Sequence, residues 1–349
     1  MYPGYESHIP VFECTHRIKN MMLCITGSSA QKQGFPPTHA ALPGSRPGLQ
    51  VNARPGVCTR SAKVNDERQT DLDRASSFWD GRHTDSADLK WRWWRHPEVA
   101  ARLGELICGE ACATTAELAA RGIAHHCKDA LPFGRGISLG CGAAHKELAL
   151  LQAGLVRHFT LYDISAEALM KARRAVEDAG FGEAVSFFQG DALSSERGKY
   201  DLVYWDNSLH HMFDVHAAMA WSKARLNPGG CLVLNDYVGP SRFQWPEPLL
   251  LLCNTVIAPV GVPLTRRVSR KLMEKLDPSE AADSERTREA LFRFFPNATW
   301  IPLGGVVYHM GLTGKAIEMT PPLIERFMDA DMRLNAEGHA LYAFAVAWR

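Results

Sequence analysis

The sequence predicts a doubly wound α/β domain, in which a mostly parallel sheet carries helices on both faces. The first indication is that short apolar segments alternate with helical segments from Arg135 onward, a pattern typical of parallel strands joined by crossover helices. The second is composition, because 46% hydrophobic and 22% charged residues in a chain of 349 are ordinary globular values. A chain of this length can bury a sizeable core without disulfides or metals.

The predicted strands and helices follow one another in a regular order. Candidate strands cover residues 136–139, 158–163, 185–189, 202–206, 231–235 and 340–348, and the helices between them include 146–153, 166–179 and 216–226. The second helix is well delimited, since Ser165 can cap its start and Gly180 can end it. A sixth strand lies either near 299–303 or at 306–310, and periodicity does not choose between them. The last strand is apolar and reached late, so we expect it to insert into the sheet.

Residues 1–70 differ in character from the rest of the chain. Between residues 1 and 63, seven Lys and Arg are accompanied by only two Glu, Pro and Gly recur, and no periodic apolar face is present. Such a segment cannot bury enough apolar surface to offset its ordering entropy, so we expect a disordered extension. The alternatives are a transit-type targeting peptide and a translation start at Met21 or Met22. We expect residues 71–134 to form an N-terminal helical lid.

Charge and cysteine usage disfavour several classes of protein. The formal charge is +1, so a protein held on nucleic acid by bulk charge is not expected. The longest apolar stretch, 249–260, contains Asn254 and Thr255 and is too short for a membrane span. No secretory signal is visible, and the nine cysteines are scattered without a CxxC pair, which suits reduced thiols. We therefore expect a cytoplasmic protein without membrane or nucleic-acid partners, and the oligomeric state stays open.

A glycine-containing turn follows the first strand and carries the clearest chemistry. Gly140 and Gly142 would let the backbone approach a ligand closely and leave helix N–H groups free to bond it. Asp163 ends the second strand, where a carboxylate can accept bonds from both ribose hydroxyls. Asp191 follows the third strand, where it can bond an adenine amino group. A dinucleotide fingerprint would need a small residue where this chain has His145, so a nucleoside ligand without phosphate fits better.

These segments resemble the class I S-adenosylmethionine-dependent methyltransferases. Six signatures fall in the order and spacing of that family, namely residues 137–142 (ISLGCG), 161–165 (LYDIS), 190–192 (GDA), 200–203 (YDLV), 208–211 (SLHH) and 226–230 (LNPGG). The resemblance implies that residues 135–349 form a seven-stranded Rossmann-like sheet, preceded by N-terminal helices, with S-adenosylmethionine as cofactor. Residues 238–286 exceed what the sheet needs between its fifth strand and the next helix, so we expect them to form a cap insertion over the acceptor pocket. The resemblance also implies that the cofactor is bound by Ser138, Gly140, Cys141, Gly142, Asp163, Ile164, Asp191, Ala192 and Asn207. The family often has an acid at position 138 and a third glycine at 144, where this chain has serine and alanine.

Candidate catalytic side chains follow the fourth and fifth strands, where the resemblance places the transferred methyl group. His210 or His211 can remove a proton from an oxygen or nitrogen nucleophile, because histidine titrates near neutral pH. Tyr237 can orient the acceptor, or its ring can attract the sulfonium by a cation–π interaction.

Three further residues are candidate contacts to the acceptor substrate. Trp94 lies in a cluster of tryptophans and arginines in the lid, and Asp236 and Arg242 follow the fifth strand. Asp236 is also a possible base, and Arg242 could pair with an acidic group of the acceptor. We expect no metal, because His145, His216 and His309 lack the spacing of metal ligands.

The function that this site predicts is methyl transfer to an oxygen or nitrogen of a small metabolite. One alternative is an enzyme that consumes S-adenosylmethionine by intramolecular displacement and releases methylthioadenosine, since it needs the same sulfonium and base. The others are methylation of RNA or protein, and cofactor binding without catalysis. A fold alone does not decide among them.

Overall fold

The computed structural model describes residues 58–80, 93, 96–313, 315 and 320–349. Residues Glu67–Arg349 form one compact unit, and the unit Met1–Asp66 is described only by the first turns of a helix. Most of the extension expected over residues 1–70 therefore lies outside the described residues. The helix α1 (Cys58–Asp80) runs through residue 70.

A seven-stranded sheet forms the centre of the larger unit. Its strands are β1 (Phe133–Leu139), β2 (Val156–Asp163), β3 (Val185–Gln189), β4 (Tyr200–Asp206), β5 (Leu226–Tyr237), β6 (Thr299–Gly304) and β7 (Tyr342–Trp348). They are arranged in the order β3-β2-β1-β4-β5-β7-β6, with β7 antiparallel to both of its neighbours and the other pairs parallel. The predicted fold class is confirmed. The last strand inserts into the sheet as expected, and the sixth strand is 299–304 rather than 306–310, which forms turns.

Helices connect the strands and cover both faces of the sheet. The remaining helices are α2 (Pro97–Cys108), α3 (Thr115–His126), α4 (His145–Gln152), α5 (Ala166–Asp178), α6 (Ala192–Ser195), α7 (Val215–Arg225), α8 (Glu247–Ile257), α9 (Arg270–Leu276), α10 (Thr287–Phe294) and α11 (Pro321–Ala336). Helices α4 to α7 are the crossovers between β1 and β5. Ser165 caps α5 as predicted, by accepting a bond from the Ala168 N–H at 3.1 Å. Among the helices that the structure describes, none is long and apolar enough to cross a membrane.

The order of the strands determines where a site can form. Strands β4, β5 and β7 are buried over most of their length because helices cover both faces, and Trp205 and Leu232 are fully buried. The carboxyl ends of the parallel strands meet at one edge, which is where ligands bind in open α/β sheets. Because β7 is antiparallel, its first residue, Tyr342, pairs with Tyr237 at this same edge.

Candidate active site

The turn after β1 has the backbone conformation that close approach of a ligand requires. Gly140 and Gly142 have φ angles of +65° and +55°, which L side chains rarely adopt. A Cβ at Gly140 would lie 2.8 Å from the Ser208 Cβ, whereas one at Gly142 would meet no atom of the described residues within 4 Å. Packing therefore requires glycine at position 140, and the backbone at position 142 borders space that a ligand can occupy. Cys141, between them, is buried.

Asp163 ends β2 beside this turn. Its Oδ2 accepts the Gly142 N–H at 2.8 Å, and its Oδ1 accepts the Ser165 N–H at 2.8 Å. These two bonds hold the carboxylate at the edge of the sheet where the sequence predicts a ribose. The next residue, Ile164, accepts a bond on its carbonyl from the Ser76 Oγ at 2.9 Å, so α1 also reaches this edge.

The ends of β3 and β4 complete the same edge. Asp191 caps α6 by accepting the Leu193 N–H at 2.9 Å, and Ala192 beside it is buried. Asn207, exposed after β4, has a φ of +51° and donates its N–H to the Asn235 carbonyl at 2.9 Å. The predicted cofactor residues thus lie at the ends of four adjacent strands, and this arrangement fits a nucleoside ligand.

A buried carboxylate that sequence reasoning missed lies next to Ser138. Glu147, in the first turn of α4, is 4% exposed and accepts a bond from the Ser138 Oγ at 2.6 Å. Burial raises the pKa of Glu147 to about 7, while the bond from Ser138 opposes the rise. A carboxylate from α4 therefore stands beside the position where the family often has an acid. The available signal was an acid in the first turn of the helix after the glycines.

Asp236 and His210 form the central polar pair of the site. Asp236 is fully buried, and its Oδ2 accepts the N–H groups of Ser208 and Leu209 at 2.8 and 2.6 Å. Its Oδ1 accepts the Tyr237 N–H at 2.7 Å and lies 2.5 Å from the His210 Nδ1. Burial lowers the pKa of His210, but the neighbouring carboxylates, Asp236 first and then Glu280 and Asp277, together outweigh burial and leave this pKa above its usual value of 6.5. The bond at Nδ1 fixes the orientation of the imidazole.

Comparison with known proteins agrees with this geometry. Residues 137–232 match the family model of a methyltransferase domain. The chain contains a class I S-adenosylmethionine-dependent methyltransferase domain. The sequence predictions of this family and of S-adenosylmethionine as its cofactor are therefore confirmed.

The proteins to which this chain is similar differ widely in length. Over 124 residues the chain is 30% identical to the highly reducing polyketide synthase frbB of Dothideomycetidae sp. (strain 11243), which is 32% of this chain but only 5% of that protein. The crystal structure of geranyl diphosphate C-methyltransferase from Streptomyces coelicolor A3(2) aligns with a TM-score of 0.51 and 14% identity, over 80% of this chain and 98% of that chain. A geranyl diphosphate methyltransferase solved with S-adenosylmethionine aligns with a TM-score of 0.46 and 14% identity, over 68% and 87%. At such identities the structural likeness shows the fold alone.

Two further groups surround His210 in the methyltransferase domain. The His211 ring lies 4.1 Å from that of His210, its Nδ1 lies 3.1 Å from the Ser279 Oγ, and Trp79 of α1 packs against it edge-on. Burial lowers the pKa of His211 well below 6.5, so this imidazole stays neutral. Glu280 Oε1 lies 3.7 Å from the His210 Nε2. One potential ligand atom from each of His210, His211 and Glu280 lies within 4.8 Å of the others, a spacing that could hold a metal ion, so the expected absence of a metal stays a prediction.

Asp236 and Tyr237 both use their polar atoms on neighbouring groups of the protein. Asp236 uses both oxygens on backbone N–H groups and on His210. Tyr237 is 1% exposed, and its Oη accepts a bond from the Trp245 Nε1 and donates to the Pro240 carbonyl, both at 3.1 Å. Its hydroxyl is therefore committed, and its ring is the part that can meet a ligand.

Arg242 and Trp94 are the remaining predicted substrate contacts. Arg242 is buried, and its Nη1 donates to the Glu280 carbonyl at 3.0 Å, so the guanidinium fastens the segment that carries Glu280. Burial lowers the pKa of Arg242 from its ordinary value. Trp94 lies outside the described residues, although its neighbour Trp93 is described and buried.

Proposed function

We propose that this domain transfers the methyl group of S-adenosylmethionine to an oxygen or nitrogen of a small molecule, with His210 as the base. The cofactor supplies a methyl group on a sulfonium, which is a good leaving group. A hydroxyl or ammonium nucleophile must also lose a proton, and a positioned base accepts it. The observation that carries the proposal is the bond of His210 Nδ1 to the buried Asp236, which orients the ring and leaves its Nε2 for this proton.

We assign cofactor binding to the residues at the ends of β1 to β4, namely Ser138, Gly140, Cys141, Gly142, Asp163, Ile164, Asp191, Ala192 and Asn207. The support for this assignment is the open space at Gly142 and the orientation of Asp163 beside it. The last turns of α1 border the same region, since the Asp80 Oδ1 accepts the Ser165 Oγ–H at 2.7 Å and Trp79 contacts His211. We therefore include α1 in the lid that the sequence places at residues 71–134.

The decisive measurement identifies the product that is formed from the cofactor. The protein is incubated with S-adenosylmethionine alone and then with a small-molecule extract, and mass spectrometry distinguishes S-adenosylhomocysteine from methylthioadenosine. Extract-dependent S-adenosylhomocysteine is expected. Methylthioadenosine as the product would replace methyl transfer with intramolecular displacement.

The role of His210 is tested with His210→Asn, because an asparagine amide can still donate a bond to Asp236. We expect turnover to fall by roughly 10²–10⁴ with unchanged cofactor affinity. The matched control is His216→Asn, a half-buried histidine on α7 that should retain activity. Wild-type turnover should rise with pH through a midpoint above 6.5, and a chelator should leave it unchanged. Full activity of His210→Asn, or loss of activity with the chelator, would contradict a histidine base.

A further inference from the structure

A cluster of aromatic rings beyond the end of β5 encloses a histidine to which the proposed reaction gives no role. Five rings have centroids 5.1–6.2 Å from that of His309, and we call these rings together with His309 the ring cage. Its members are Trp93, Tyr237, Phe243, Trp245 and Tyr342. They converge because the antiparallel pairing of β5 and β7 sets Tyr237 opposite Tyr342 at the ligand-binding edge of the sheet.

His309 supplies the open polar atom of the ring cage. Its Nδ1 lies 3.4 Å from the Tyr342 Oη, while its buried Nε2 has no hydrogen-bond partner among the described residues. A buried polar atom in this state calls for an explanation, because such groups are nearly always paired. The hydroxyl of Tyr237 and the indole N–H of Trp245 bond to each other. The Nε2 of His309 is therefore an atom that a ligand could satisfy.

The ring cage is buried except at Phe243 and has a strained wall. His309 and Tyr342 are each 7% exposed and Trp93 is 8% exposed, whereas Phe243 is half-buried. Arg242 and Phe243 have φ angles of +56° and +50°, so two consecutive non-glycine residues adopt the left-handed region. This backbone presents the Phe243 ring to His309 at 5.5 Å. Strain of this kind persists where the surrounding structure holds it, and it clusters at ligand sites.

We propose that the ring cage binds the acceptor and selects uncharged aromatic molecules that carry a hydroxyl or carbonyl group for the His309 Nε2. The inference rests on the proposed function, because the ring of Tyr237 joins the cage to the base, with its centroid 6.3 Å from that of His210. Aromatic walls favour a flat ligand through offset and edge-to-face packing. A polar atom among such walls fixes the orientation of the ligand.

The protonation state of His309 supports an uncharged ligand over an ammonium. Burial lowers the pKa of His309 to about 3, and the nearby charge of His210 adds to this effect. The His309 imidazole is therefore neutral near pH 7 and adds no charge to the ring cage. Cation–π attraction would have to overcome the same desolvation for an ammonium ligand, so we expect a neutral ring to bind better.

Binding of small fluorinated probes tests the cage without any turnover. The ¹⁹F NMR signals of 4-fluorophenol, fluorobenzene and 4-fluorophenyltrimethylammonium are titrated with the full chain in the presence of S-adenosylhomocysteine. Wild type should bind 4-fluorophenol about fivefold more tightly than fluorobenzene, as one neutral hydrogen bond implies. His309→Phe should abolish this preference and retain fluorobenzene binding. The matched control, His216→Phe, should keep the preference.

The outcomes distinguish a failure of the ring-cage proposal from a failure of the proposed methyl transfer. Three results would overturn the proposal. They are an equal preference for 4-fluorophenol over fluorobenzene in wild type and His309→Phe, tighter binding of the ammonium probe than of the neutral probes, and no binding of any probe. Should His309→Phe fail to fold, Phe243→Leu changes a half-buried wall and should weaken both neutral probes severalfold. Unchanged binding to Phe243→Leu would likewise overturn the proposal. His210→Asn should bind 4-fluorophenol normally, so a failure of the base would appear in turnover and not in this measurement.

Discussion

Replacing Asp236 with asparagine tests the buried pair at the centre of the site. One Asp236 oxygen accepts the N–H groups of Ser208 and Leu209, and the other contacts the His210 Nδ1 and the Tyr237 N–H. Asparagine keeps one oxygen to accept hydrogen bonds, but its NH₂ group replaces the other oxygen and would face two hydrogen-bond donors without an acceptor between them. Hydrogen bonds to a charged group contribute roughly 1.5–3 kcal/mol each, so the loss of two predicts a decrease of about 3–6 kcal/mol in the free energy of unfolding. This is a large part of the roughly 5–15 kcal/mol that stabilises a typical domain.

The decrease in the free energy of unfolding caused by Asp236→Asn should depend on pH, because Asp236 raises the pKa of His210. In wild type this pKa exceeds 6.5, so the stabilisation from the bound proton is complete below pH 6.5 and is lost as pH rises through the folded-state pKa. In Asp236→Asn the carboxylate that raises this pKa most is lost, so the folded-state pKa of His210 falls toward or below its unfolded value. The proton bound at low pH then stabilises the folded variant less than it stabilises the folded wild type. The difference in stability between the two proteins should therefore be larger at about pH 5.5 than at about pH 8.5.

Urea denaturation followed by tryptophan fluorescence at both pH values measures this difference. The control is the same comparison in a His210→Phe background, where the titrating imidazole is absent and the backbone donors remain. There the difference should become independent of pH. A difference that does not change with pH when His210 is present would refute the coupling. A difference below about 1 kcal/mol would refute the central role of the carboxylate in packing.

Other substitutions separate stability from ligand binding. Gly140→Ala should destabilise the fold by roughly 2–4 kcal/mol in calorimetric melts, because its Cβ would lie 2.8 Å from Ser208 at a φ of +65°. Gly142→Ala should lose less stability and more affinity for S-adenosylmethionine, and equal effects would contradict the open space at Gly142. Glu147→Gln should have a larger free energy of unfolding in urea than wild type at about pH 8 and should lose this advantage toward pH 4.5. The reason is that burial raises the folded-state pKa of Glu147 to about 7. An advantage that is constant with pH would contradict this cause. Asp163→Ala should weaken S-adenosylmethionine binding at least tenfold by calorimetry, and unchanged affinity in a folded variant would overturn the ribose assignment.

The fold and the cofactor side of the site could be predicted because their signals are local. Alternation of apolar segments predicts parallel strands, and parallel strands bring every residue that follows them to one edge. Gly140, Asp163 and Asp191 could therefore be placed together from their positions after three strands. Glu147 was missed because its relation to Ser138 depends on how α4 packs under the turn, which the spacing of residues does not reveal.

The sequence alone was sufficient for the order of elements, the strand ends and the residue types that carry the chemistry. The directions in which the Asp236 and Tyr237 side chains point emerged only from packing, because the two residues are the last of β5 and the sequence does not show what lies on each face of the sheet. The ring cage likewise depends on contacts among Trp93, Phe243 and His309, which lie far apart in the chain. Such contacts form only when the whole sheet has assembled, because each segment gains little by itself and leaves no local periodicity. For this reason the residues on the acceptor side could be identified only from the tertiary structure, whereas those on the cofactor side could be predicted from the order of the strands.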